Sequence, residues 1–104
     1  SSAYNITMNY YSTTVSNRDT RIYNDIALSH PVYSVWVWSV EKSDGTVVTG
    51  SHACVIRGIN TGSYVLVMDP EFGFAVAYLN ANNTYAYTSS YSSTSLPLSY
   101  FGAA

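Results

Sequence analysis

The sequence predicts an α+β fold, with one N-terminal helix packed on a mostly antiparallel β-sheet. Three observations predict it. A single apolar stripe at helical spacing occupies residues 17–28. Runs of β-branched and aromatic residues with period two fill most of the chain beyond it. Turn-forming residues punctuate those runs at short intervals. With 104 residues, the chain has the length of one domain.

Residues 1–15 are polar and β-prone, with Tyr, Thr and Val among Ser and Asn. Ser16-Asn17-Arg18-Asp19 reads as a helix start, a Ser cap with an acid three residues on. Ile22, Tyr23, Ile26 and Ala27 supply the apolar stripe. Ser29-His30-Pro31 ends the helix, because the residue before a proline disfavours the α region. The helix is therefore expected from Asn17 to Leu28. Val32 to Val40 is a strand by composition, and Asp44-Gly45 is a tight hairpin signal. Val47-Val48 opens a second strand that Gly50 interrupts, and Ser51 to Ile59 form a third. Asn60 to Ser63 turn the chain; Tyr64 to Met68 are the clearest core strand, stopped by Asp69-Pro70. Phe74 to Leu79 and Thr84 to Thr88 make a hairpin across Asn80 to Asn83. Ser89 to Ser95 is almost wholly Ser, Thr and Tyr, a loop or a weak edge strand.

Composition narrows the function. Charged residues make up 10%, against roughly 25% in ordinary soluble domains. A secreted or cell-surface chain is expected, or one whose surface a partner covers. The four Lys and Arg residues are scattered; without a basic stripe to neutralise phosphates, nucleic-acid binding is not expected. Cys54 is the one cysteine, which excludes an internal disulfide and Cys-rich zinc sites. No apolar run approaches membrane-spanning length. No metal-ligand spacing is recognisable, and neither a metal nor a cofactor is expected. The Ser-Ser-Ala start, without Met, leads to the expectation of a processed or trimmed chain.

The residues suited to chemistry lie in two segments, Ser51-His52-Ala53-Cys54-Val55-Ile56 and Met68-Asp69-Pro70. If Thr61-Gly62 form a two-residue hairpin loop, Asn60 faces Ser63 and Cys54 faces Asp69. His52 then lies on the face of Asp69, two residues along, within reach of a diagonal cross-strand contact. A register slip of one residue would separate them. A carboxylate beside a histidine fixes the ring tautomer and stabilises the imidazolium formed in proton transfer, the base and orienter of a nucleophilic enzyme. The plain alternative is a structural His and a turn-forming Asp-Pro. Cys54, two residues from His52 on one strand, reads as a small buried apolar residue and not as a nucleophile. Trp36 and Trp38 share one strand face, suited to stacking on a peptide or sugar, or to core and partner packing.

His-Ala-x-Val-Ile-x-Gly from His52 to Gly58, a short turn, and Val-Leu-Val-Met-Asp-Pro-x-x-Gly from Val65 to Gly73 resemble the C-terminal half of the papain-like cysteine peptidases. The helix ending in His30-Pro31-Val32 resembles the segment before the first sheet strand of that half. The similarity is greatest to the bacterial leader-peptidase-like branch, which uses Asp-Pro at the second position. It covers residues 17–75. The resemblance implies the β subdomain of a papain-like fold, with His52 as general base and Asp69 as its orienter; Trp36 and Trp38 are candidates for substrate contact by their shared strand face alone. The family's nucleophilic Cys and oxyanion-hole Gln lie upstream; here no Cys precedes residue 54 and no Gln occurs. Residues 1–104 are thus expected to be a single domain without the nucleophile-bearing half. That half would come from an upstream segment or a second polypeptide, and the isolated chain would be inactive on peptide or protein substrates. Two other classes stay open: a non-catalytic peptide-binding module, and an exported β-rich structural or adhesion domain.

Overall fold

The computed structural model describes residues 9–88 and 95–103. Along these the elements run β1 (Asn9–Ser12), α1 (Arg18–Ala27), β2 (Val32–Glu41), β3 (Val47–Asn60), β4 (Tyr64–Asp69), β5 (Gly73–Leu79), β6 (Tyr85–Thr88) and β7 (Ser95–Ala103). Every pairing is antiparallel. Neighbours follow the order β7-β2-β3-β4-β5-β6, and β6 pairs back to β7. Six strands therefore close into a barrel, with β1 added beyond it on β7.

This overturns the expected α+β architecture. Among the described residues there is no open sheet with a helix packed on it, as in the β subdomain of a papain-like fold; they form a closed antiparallel barrel with one short helix. The difference comes from β7. Its Leu96, Leu98 and Phe101 are buried, and it bonds β2 on one edge and both β6 and β1 on the other. The proline within it and the polar run before it conceal a strand from period-two reading. Closure removes the exposed edges that an open sheet would have to protect. The expected loop or edge strand over 89–95 falls, except for Ser95, outside the described residues.

Inward positions alternate along each strand, as the pleat requires. Val65, Val67 and Asp69 point inward from β4, and Val32, Ser34 and Trp36 from β2. Tyr85 and Tyr87 do so from β6. The expected break at Gly50 does not occur, and β3 is continuous. Gly50 faces Trp38 across the ladder, and the indole covers the space a side chain would take there.

The helix begins at Arg18 with Asn17 as its cap residue. Ser16 is thus not the cap, and the Asn17 amide oxygen instead accepts from Arg21 Nε at 2.9 Å. The end is a Schellman arrangement: Ser29 N–H bonds Ile26 O and His30 N–H bonds Asp25 O, with Ser29 at φ 60°. Arg18 and Asp19 tie the first turn to one end of the barrel. Arg18 donates to Asn83 O at 2.6 Å, and Asp19 Oδ2 accepts from Gly62 N–H and Tyr85 O–H. The β3–β4 and β5–β6 turns both lie at that end. Asp69 and Thr88, where β4 and β6 finish, mark the opposite mouth.

Candidate functional site

His52 and Asp69 meet at the end of the barrel opposite the helix, through a route that differs from the simplest hairpin. Asn60 faces Tyr64, not Ser63, so the loop has three residues and not two. Gly62 takes φ 78° there, and Ser63 N–H bonds Asn60 O. A bulge at Arg57 then shifts the register by one residue. Beyond it Ile56 faces Val67 and Val55 faces Met68, which brings Cys54 level with Asp69. Cys54 and Ile56 both point inward, and His52 follows on the same face.

Asp69 is 1% exposed and both of its oxygens are engaged. Oδ1 accepts from His52 Nε2 at 2.7 Å, and from the backbone N–H groups of Glu71 and Phe72 at 2.8 and 3.1 Å. Oδ2 accepts from Tyr87 O–H at 2.9 Å. The Asp69-Pro70-Glu71-Phe72-Gly73 turn builds this cradle. The carboxylate caps its own turn, and Gly73 at φ 89° closes it. Turn capping and histidine pairing are therefore performed by one carboxylate. Burial alone would raise the Asp69 carboxyl, but the four donors outweigh it and hold the group below its ordinary value.

An ionised carboxylate only accepts, so the ring proton of neutral His52 sits on Nε2. Nδ1 takes no partner among the described residues, and the imidazole keeps 19% of its surface in solvent. Phe72 lies beside the ring, with centroids 5.9 Å apart. The group is thus an oriented base with its free lone pair on Nδ1.

Cys54 is 3% exposed, and burial pushes its thiol up to about 11. Its protonated sulfur lies 3.3 Å from Tyr87 O; since the Tyr87 proton goes to Asp69, the thiol is the donor. The thiolate needed for nucleophilic attack is absent at neutral pH. The His52, Cys54 and Asp69 ligand atoms all lie within 4.8 Å of one another. That spacing would suit an ion; as the residues stand, the same atoms are linked in a hydrogen-bond chain through Cys54, Tyr87, Asp69 and His52.

Trp36 has no exposed surface, which leaves it nothing to offer a substrate and corrects that expectation. Facing His52 on the neighbouring strand, it packs edge-to-face on Tyr87 at 5.0 Å. Its Nε1–H donates to Ser34 Oγ at 2.8 Å, and Ser34 in turn donates to Cys54 O at 2.7 Å. Trp38 is half-buried over Gly50 and packs on the core. His30 is exposed on the loop after α1, away from the dyad. Tyr87 and Ser34 escaped the sequence reading. The signal for Tyr87 was the alternation Tyr85-Ala86-Tyr87, since a buried phenol needs a polar partner and the chain has few carboxylates.

No family model, no curated protein and no solved structure matches this chain. Among the described residues, no helix is long and apolar enough to cross a membrane.

Proposed function

We propose that this chain is the His/Asp-bearing part of a papain-like cysteine peptidase, in which His52 Nδ1 takes the proton of a thiol supplied from outside these residues. The 2.7 Å contact between His52 Nε2 and a saturated, ionised Asp69 carries the proposal. It fixes the tautomer and leaves one nitrogen free, the condition for a base that activates a nucleophile. The order of the His52–Gly58 and Val65–Gly73 motifs supports it, and the barrel topology does not enter. The outer face of β4 and β5 exposes Leu66, Phe74, Val76 and Tyr78. An apolar patch of that kind suits cover by a further segment or chain.

The buried, protonated Cys54 favours one second reading, a peptide-binding module without turnover. Peptide hydrolysis by the tagged chain, captured in its native assembly, separates the two. The expected result is iodoacetamide-sensitive turnover that falls at least about 100-fold in His52→Ala and survives Cys54→Ala. Peptide binding without turnover supports the second reading. Turnover indifferent to His52 contradicts both roles for the dyad.

A further inference from the structure

The second oxygen of Asp69 offers more than the dyad itself requires. Among the described residues Oδ1 has three donors, whereas Oδ2 has one, the Tyr87 hydroxyl. Tyr87 lies 18 residues from Asp69 in sequence and on a strand that β4 does not touch in the ladder. Its ring is 4% exposed and is held by Trp36, which Ser34 fixes in turn. A carboxylate turns about its terminal torsion with little intrinsic preference, because such torsions are broad. One donor on Oδ2, mounted on a packed ring, stops that turn and keeps Oδ1 toward His52.

We propose that Tyr87 is the positioning residue of the His52–Asp69 dyad, pinning Asp69 Oδ2 so that Oδ1 stays bonded to His52 Nε2 and Nδ1 stays free. This rests on the dyad reading above. The geometry also orders a donor chain from Cys54 S–H to Tyr87 O, then from Tyr87 O–H to Asp69 Oδ2. In it Cys54 is the outer link and not the reactive one. Among the described residues, the titratable side chains around the carboxylate are His52 and Cys54 from β3 and Tyr87 from β6, with Glu71 in the adjoining turn.

The test follows the His52 ring by ¹⁵N and ¹H NMR in the unaltered chain, in Tyr87→Phe and in Cys54→Ala. The unaltered chain is expected to show one neutral tautomer, Nε2–H, with a slowly exchanging downfield ring proton. In Tyr87→Phe that proton should exchange about tenfold faster and the tautomers should mix. In Cys54→Ala the signature should persist. An unchanged signature in Tyr87→Phe makes Tyr87 a core residue only and overturns the proposal while the dyad stands. No Nε2–H signature in the unaltered chain overturns the dyad reading itself. Should Tyr87→Phe not fold, the Tyr87 ¹³Cζ resonance of the unaltered chain is followed as Asp69 titrates. A response at the Asp69 midpoint supports the pin, and a flat line overturns it.

Discussion

At the scale of single residues, the candidate site is a problem in satisfying one buried anion. Asp69 is stable in the core because two backbone amides, an imidazole and a phenol all donate to it. Its folded-state carboxyl is held below the ordinary value, so its stabilisation is present above the unfolded pKa of about 3.9 and fades as pH falls through the folded value. Asp69→Asn is expected to cost about 1–3 kcal/mol at pH 7. Urea unfolding of both proteins at pH 7 and in strong acid checks this: the gap between them should close in acid. The His52–Asp69 pair was legible in the sequence because both residues sit on inward positions of neighbouring strands. Tyr87 was not, because its partner is set by barrel closure and no local pattern encodes that. The inward face of β2 was likewise ambiguous, so Trp36 could be read as a ligand surface when it is a wall behind the dyad.

At the scale of elements, the β3–β4 hairpin shows how a His52–Asp69 contact can be foreseen from an incorrect turn. The loop has one residue more than the simplest hairpin, and the bulge at Arg57 restores the register before His52. Bulges leave little trace in composition, so the cancellation was invisible. The continuity of β3 was also hidden, since Gly50 reads as a break until Trp38 is seen to lie over it. Gly50→Ala would set a methyl within the indole. It should displace Trp38 and cost about 1–3 kcal/mol, visible as a lower melting temperature and altered Trp fluorescence. The helix end gives the opposite sign. Ser29 is exposed, at φ 60°, in the position where a Schellman motif prefers glycine. Ser29→Gly should stabilise the protein by about 1 kcal/mol in urea unfolding.

At the scale of the molecule, the barrel separates its two ends. Helix α1 closes one through Arg18, which is 5% exposed, bonds Asn83 and lies over the Tyr85 ring at 4.6 Å. The dyad occupies the other. Arg18→Met leaves carbonyls without their donor and should cost roughly 3 kcal/mol, yet the His52 ring spectrum should not change. Closure was the feature least legible in the sequence: the helix and most of the strands were found, but β7, which completes the barrel, was not. A strand interrupted by proline and preceded by a polar run carries little period-two signal, and only its pairing with β1, β2 and β6 reveals it.

The most direct measurement is the ¹⁵N spectrum of the His52 ring in the unaltered chain above its titration, compared with Asp69→Ala. The geometry requires a protonated Nε2 and a bare Nδ1 in the first, and a loss of that tautomer preference in the second. A proton on Nδ1, or the same mixture in both proteins, would contradict an Asp69-oriented base at this site.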